Sequence, residues 1–167
     1  AVGPNGNLQI AFDSTMTAGY PQIFYTSRDP NGNEIVPIKR ISFDADNAQR
    51  ADIAVDANND AFIFWDEVKD ASPLSWEIHG EKVSGVDGRE LAHRHVMLNS
   101  RSLFPSTTVD RRTGEVYLVF SKWGDWWGQR GPPMGIPEMY FAKFDNNLNP
   151  LITPRVLVDR YTLPIFG

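Results

Sequence analysis

Short runs of alternating apolar and polar residues, each ended by a turn rich in Asp, Asn, Gly or Pro, make up most of the chain. The stretch ADIAVDANNDAFIFWD at 51–66 is typical, because two apolar runs flank a turn of acidic and amide residues. Alternation with a period of two predicts β-strands, and no window shows a sustained helical period bounded by caps. The sequence therefore predicts an all-β fold.

The pattern occurs three times. Val2, Val55 and Val109 begin similar lines at spacings of 53 and 54 residues, and the third copy has one inserted residue in its turn. A second apolar run and a closing run follow each copy, which is the signature of a repeat architecture. The predicted units are three sets of four short antiparallel strands, covering about 1–50, 51–103 and 104–158.

Four antiparallel strands repeated at this spacing are typical of a β-propeller blade. The pattern IAVDANNDAFIFWDE followed by WEIHGEKV resembles the sialidase-like, BNR-type propeller repeats of many secreted microbial proteins. The resemblance covers essentially the whole chain and implies a propeller-like fold and a secreted or cell-surface location. It identifies a repeat type and not an activity, since the ordered Asp-box of true sialidases is absent from the sequence.

About three blades are too few to close around an axis, since propellers have roughly four or more. The first unit lacks most of its innermost strand, and residues 159–167 resemble the start of such a strand. Two alternatives remain open: a second copy associated head to tail, or further blades of a longer chain. A complete single-chain sandwich would explain the strands but not the repeat spacing.

Composition excludes several classes of protein. The chain has no cysteine, so disulfides and thiolate metal sites are impossible. Its net charge of −5, with no basic stripe, argues against non-specific nucleic-acid binding. No apolar run approaches the roughly 20 residues that a membrane-spanning helix needs.

The most unusual segment is KWGDWWGQRGPPMGIPEMY at 122–140, a long link within the third unit. Tryptophan rings stack on sugar rings, and nearby polar groups can hydrogen-bond hydroxyls. The alternative is that these rings pack under the loop or form a subunit contact. The candidate ligand-binding residues are Trp123, Asp125, Trp126, Trp127, Gln129 and Arg130.

Two weaker patterns suggest metals. Oxygen-bearing residues alternate in DPNGNE, where Asp29, Asn31, Asn33 and Glu34 are calcium candidates, although such residues also stabilise turns without a cation. In HRH, His93 and His95 share one face of a predicted strand, and His79 of the preceding strand could face them. No third ligand stands at a diagnostic spacing, so no metal or other cofactor is assigned with either pattern.

Carboxylates are the only candidates for catalysis. Glycoside hydrolysis uses two carboxyl groups, and Asp66, Glu67, Glu77, Asp125 and Glu138 could lie toward one propeller face. Related polar residues recur in every unit, which favours hydrogen bonds within blades over a unique active centre. The sequence therefore favours a non-enzymatic extracellular binding or adhesion module that contacts glycan or a protein partner. The alternatives are a glycan-active enzyme, either a sialidase-like hydrolase or a polysaccharide lyase, and a structural subunit of a larger assembly.

Overall fold

The structure, a computed structural model, describes residues 1–16, 19–42, 47–71, 74–97, 101–122 and 138–158. These ranges contain strands and turns but no helix, and therefore no helix that could span a membrane. The strands are β1 (Leu8–Ser14), β2 (Gln22–Arg28), β3 (Glu34–Arg40), β4 (Asn47–Val55), β5 (Ala61–Ala71), β6 (Leu74–Val83), β7 (Glu90–Met97), β8 (Ser102–Val109), β9 (Val116–Lys122), β10 (Glu138–Phe144) and β11 (Pro150–Val158).

The strands form three antiparallel sheets in chain order, of three strands (β1–β3) and four strands each (β4–β7 and β8–β11). This confirms the prediction of an all-β chain built from successive antiparallel sheets. The second sheet begins at Asn47, inside the range predicted for the first unit, and the third begins at Ser102. On its inner side β1 is bordered, among the described residues, only at its start, by the bridge between Val2 and Leu8 and by backbone hydrogen bonds between Ala1 and Gln9.

The strand register repeats with the sequence. Positions that are equivalent in the three copies pair with an apolar residue of the next strand: Asp13 with Ile23, Asp66 with Ile78, and Ser121 with Met139. Because a shift of one residue would move every side chain to the other face of the sheet, this agreement fixes which residues enter the core.

Two apolar clusters join the sheets. One contains Ile23 and Tyr25 of the first sheet with Ile63 and Trp65 of the second. The other contains residues of the second and third sheets: Phe62, Phe64, Ile78, Leu118, Phe120 and Phe144. Alternate residues of β5 thus supply both clusters, and each large side chain contributes about 1.5–3 kcal/mol through burial. The second sheet therefore lies between the other two.

The third sheet carries an exposed apolar margin. Leu151, Val156 and Leu157 of its last strand, β11, are 52%, 45% and 60% exposed. The two outer sheets therefore differ, since one ends in the poorly bordered β1 and the other in this apolar strand.

Gly85 marks a close approach between turns. A Cβ atom at this position would lie 1.9 Å from the backbone oxygen of Asn59 and 2.8 Å from Nε2 of Gln9. Since the backbone itself must move to relieve such a contact, we expect Gly85→Ala to lower the free energy of unfolding by about 1–3 kcal/mol. Denaturant unfolding would measure this, with Val86→Ala as the control because Val86 is 75% exposed. Equal stability of the two variants would contradict the close approach.

Candidate functional site

One edge of the sheets gathers the starts of the inner strands and the links between the middle strands. In the third sheet Lys122 pairs with both Ser102 and Glu138, so the start of β8, the end of β9 and the start of β10 lie together. In the second sheet Val68 pairs with Asn47 and Trp76 in the same way. We call this the loop edge. Residues 123–137 connect two of its strands, and the six candidate ligand-binding residues between 123 and 130 lie outside the described residues.

Two β-bulges lie near the loop edge, at equivalent positions of β4 and β8. The ladder shifts register between Gln49 and Asp52 and between Leu103 and Ser106. Inside the bulges Arg50 has a φ of 55° and Phe104 a φ of 57°. Positive φ is uncommon for residues other than glycine, and bulges redirect side chains out of the regular ladder. The repeat thus directs a cation and an aromatic ring from two neighbouring sheets into one place.

Arg50 lies in a polar and aromatic environment. Its Nε donates to Oδ1 of Asp66 at 2.8 Å, and its Nη2 donates to Oδ2 of the same carboxylate. Its Cζ lies 4.6 Å from the ring centroid of Trp76 and 5.0 Å from that of Phe104. A two-pronged ion pair and two cation–π contacts therefore hold the guanidinium. We call Arg50, Asp66, Trp76 and Phe104 the Arg50 cluster.

Burial controls the ionisation of Asp66. The side chain is completely buried, and this raises the pKa of the carboxyl from 3.8 to about 6. Hydrogen bonds from Arg50 and from the backbone N–H of Phe104, at 3.3 Å, oppose that rise. Asp66 is therefore ionised at neutral pH and holds Arg50 in place. Because Asp66 is buried, it does not itself contact a ligand.

The accessible part of the Arg50 cluster is flat and apolar. The side chain of Arg50 is 31% exposed and Phe104 is 53% exposed, while Trp76 is half-buried. Aromatic faces beside a fixed guanidinium suit a ring-shaped polar ligand, because the rings stack on its apolar side while the cation donates hydrogen bonds. Sequence analysis missed all three residues. The signal was present, since Arg50 aligns with Phe104 when the repeat is extended back from Val55 and Val109.

The described candidate carboxylates do not all converge. Asp66 and Glu67 are neighbours on β5 and therefore lie on opposite faces of the second sheet. Glu67 pairs across the sheet with Glu77, and both are buried. Glu138 lies in the third sheet, where it accepts a hydrogen bond from the hydroxyl of Tyr140 at 3.3 Å. Glu67 and Glu77 are thus close together but buried, and the other described candidates lie apart from them.

The three histidines of the chain do come together. His79 and His95 are directly opposite one another on β6 and β7, and His93 lies on the same face two residues earlier. Their nearest ring nitrogens all lie within 4.8 Å of one another. His79 is 3% exposed, whereas the other two rings are exposed. The register thus joins three residues that could hold a metal ion.

The calcium candidates form a hydrogen-bonded turn. Oδ1 of Asp29 accepts from the backbone N–H groups of Asn31 and Asn33, both at 2.8 Å, and Oδ2 accepts from the Asn33 side chain at 2.7 Å. Glu34 pairs instead with Arg28 at 2.8 Å. The Asn33 amide in particular lowers the pKa of Asp29. These bonds account for the residue types in the turn, and calcium binding there stays a prediction.

Comparison with known proteins gives a likeness of fold. No family model matches the chain, and no curated protein matches it in sequence. Among solved structures, the Hadza microbial sialidase Hz136 is similar with a TM-score of 0.53 and 14% sequence identity, over 84% of this chain and 34% of that one. The chain thus spans about a third of the length of that sialidase. The similarity supports a sialidase-like arrangement of sheets.

Proposed function

We propose that the chain is part of a non-enzymatic, β-propeller-type binding module, secreted or displayed at a cell surface, that contacts glycan through its loop edge. The observation that carries the proposal is the Arg50 cluster, in which two equivalent bulges present a guanidinium and an exposed phenyl ring side by side. In this proposal the Trp-rich segment, whose ends flank the same edge, contributes Trp123, Trp126 and Trp127 to the binding face.

Several features support this reading. The sheets follow one another in chain order and resemble part of a sialidase. Phe104 is exposed although its ring is large, and exposed aromatic rings are common at binding sites. Asp66 balances the charge of Arg50, so the guanidinium offers hydrogen-bond donors to sugar hydroxyls without adding net positive charge.

The proposal also includes further sheets that complete the propeller. The edge of β1 and the apolar margin of β11 are surfaces that a further sheet would cover. A second copy of the chain or other blades of a longer polypeptide would supply it.

Replacing Phe104 tests the binding face. We expect Phe104→Ala to weaken glycan binding by about tenfold or more, because it removes a stacking surface. Phe104→Tyr keeps the ring and should retain binding, and Val86→Ala, which is at the opposite edge, should change nothing. Binding would be measured on a glycan array and then by calorimetry with a positive glycan. Unchanged thermal unfolding and oligomeric state must accompany the loss. Binding that is indifferent to Phe104→Ala, or the absence of any bound glycan, would contradict the proposal.

A glycan-active enzyme is the second candidate, because the similar structure is that of a sialidase. Release of sugar from an acidic polysaccharide, abolished by Asp125→Asn or Glu77→Gln, would favour this candidate. Glycan binding without turnover would favour the binding module. A structural subunit would show neither.

A further inference from the structure

One face of the second sheet carries an unusual concentration of polar groups near its outer strands. Across β5, β6 and β7 the register aligns Trp65 with His79 and His95, and the neighbouring row aligns Glu81 with His93. Glu77 follows on the same face of β6, two residues before His79. Imidazole and carboxylate groups therefore meet at a site that the proposed glycan contact does not use.

Two residues of the cluster, His79 and Glu77, are buried. His79 is 3% exposed and Glu77 is 1% exposed, and Oε2 of Glu77 lies 3.5 Å from Nε2 of His79. The same oxygen lies 4.0 Å from Nδ1 of His95. One carboxylate oxygen is thus close to nitrogens of two imidazoles, which is a typical arrangement around a divalent ion.

The other two histidines of the cluster are exposed to solvent. His95 has a side chain that is 37% exposed, and His93 is also exposed. An ion can reach the site from solvent, while His79 and Glu77 are held by the sheet beneath it. The two exposed rings and the buried His79 ring therefore bring their nitrogens to one place that solvent can reach.

Trp65 restrains the rings. Its indole stacks on His79 at 5.7 Å between centroids and lies nearly parallel to His93 at 6.3 Å. The indole Nε1 donates to Oε2 of Glu67 at 3.0 Å, which fixes the indole itself. His79 in particular is therefore held in place before an ion binds, and this favours affinity.

We propose that His79, His93 and His95 form a binding site for a divalent transition metal such as Zn²⁺, with the Glu77 carboxylate as the fourth ligand or as a hydrogen-bonding partner of a ligand. Three neutral imidazoles and one carboxylate are a set that zinc accepts in tetrahedral geometry. Ligand nitrogens around tetrahedral zinc lie roughly 3.3–3.4 Å apart, given bonds of about 2.0–2.1 Å. The nitrogens here are within 4.8 Å, so small rotations of the exposed His93 and His95 side chains bring them to the ion.

The site is independent of the proposed function. Asp66 of the Arg50 cluster is on the opposite face of the second sheet from the histidines, since it precedes Glu67 and follows Trp65 on β5. Failure of the metal site would leave the glycan proposal unaffected, and the reverse also holds.

The test is a metal titration of the full chain, expressed without an affinity tag and stripped with a chelator. We expect Zn²⁺ to bind at one ion per chain with micromolar or tighter affinity by calorimetry, and to raise the unfolding temperature. Cu²⁺ or Ni²⁺ should quench tryptophan fluorescence, and Trp65→Phe should remove much of that quenching, because the indole is in contact with the rings.

Variants identify the ligands. His93→Ala and His95→Ala should each weaken Zn²⁺ binding at least tenfold while leaving the unfolding temperature of the metal-free protein nearly unchanged, since both rings are exposed. Arg94→Gln is the matched control, because Arg94 lies between them on β7 and faces the other way. These two variants keep the test decisive even where His79→Ala fails to fold.

Three outcomes would overturn the proposal. They are the absence of Zn²⁺ binding at a metal concentration of 1 mM, equal affinity in the two histidine variants and the control, and a stoichiometry of one ion for two chains. Since the chain has only three histidines, loss of binding in either exposed-histidine variant assigns the site without ambiguity.

Discussion

Arg50→Met will lower the free energy of unfolding by about 3–5 kcal/mol at pH 7.5, because it leaves the carboxylate of Asp66 buried without its partner. Asp66 is completely buried, and besides Arg50 it accepts only a backbone hydrogen bond from Phe104, at 3.3 Å, among the bonds described for it. Methionine fills most of the volume of the aliphatic stem, so lost packing contributes little. Denaturant unfolding at several pH values measures the effect.

The pH dependence identifies the cause. The pKa of Asp66 is already raised to about 6 by burial, and loss of the cation will raise that pKa further. A raised pKa in the folded state means that stability is present in acid and is lost as the pH rises through that pKa. The deficit of Arg50→Met should therefore shrink toward pH 5, and the double variant Arg50→Met, Asp66→Leu should recover much of the stability.

The control is the same substitution at an exposed ion pair. Arg28 pairs with Glu34 at 2.8 Å, with side chains that are 27% and 47% exposed. Arg28→Met should change the free energy of unfolding by less than about 1 kcal/mol at every pH. Similar losses of unfolding free energy in the two variants would show that the buried Asp66 carboxylate is not the cause. A loss in Arg50→Met that does not vary with pH would show the same.

Glu81→Gln will stabilise the protein at alkaline pH. Burial, with a further contribution from the charge of Glu90, raises the pKa of Glu81 from 4.5 to about 8, although Lys39 opposes the rise. Below pH 4.5 the carboxyl of Glu81 is protonated in both the folded and the unfolded states and does not lower the free energy of unfolding. That free energy falls as the pH rises through 8, because ionisation is easier in the unfolded state. Since each unit of pKa displacement corresponds to about 1.4 kcal/mol, the gain of the glutamine variant at pH 9 is of the order of several kcal/mol.

Denaturant unfolding from pH 5 to 9, with a chelator present, measures the difference between Glu81→Gln and the wild type. The difference should be small at pH 5 and should grow steadily above it. Glu115→Gln is the control, because a hydrogen bond from Lys143 lowers the pKa of that half-buried carboxyl. Its contribution is therefore constant above its unfolded pKa, and no growing difference is expected. A difference for Glu81→Gln that is independent of pH would contradict the raised pKa.

The sheet order could be predicted because it depends on local signals. Alternation of apolar residues locates the strands, and turns such as DPNGN and DNNLN separate them. The fixed repeat then transfers the register of one sheet to the next, so Asp13, Asp66 and Ser121 occupy equivalent places. These are short-range properties of the chain, and neighbouring sheets do not alter them.

The Arg50 cluster could not be predicted in the same way. It depends on two bulges, and a bulge is one extra residue whose position is not visible in an alternating pattern. It also depends on contact between sheets, since Arg50 comes from the second sheet and Phe104 from the third. The repeat alignment gives the equivalence of the two positions but not their positive φ.

The histidine cluster was partly predictable. Alternation on β7 places His93 and His95 on one face, as expected from the sequence. Whether His79 joins them depends on the pairing of β6 with β7, which contains two register irregularities. Alternation also separates Asp66 from Glu67, which explains why the described candidate carboxylates do not form one centre.

The proposed head-to-tail association has a consequence that follows from the two ends of the row of sheets. The two ends of the row of sheets are unlike surfaces, one a strand edge in the first sheet and the other the apolar margin of β11. Copies that join end to end therefore repeat the same rotation at every step, which produces a closed ring only when those rotations complete a circle. Otherwise the same contact propagates into a filament, so small changes in the angle between sheets separate a discrete particle from a polymer.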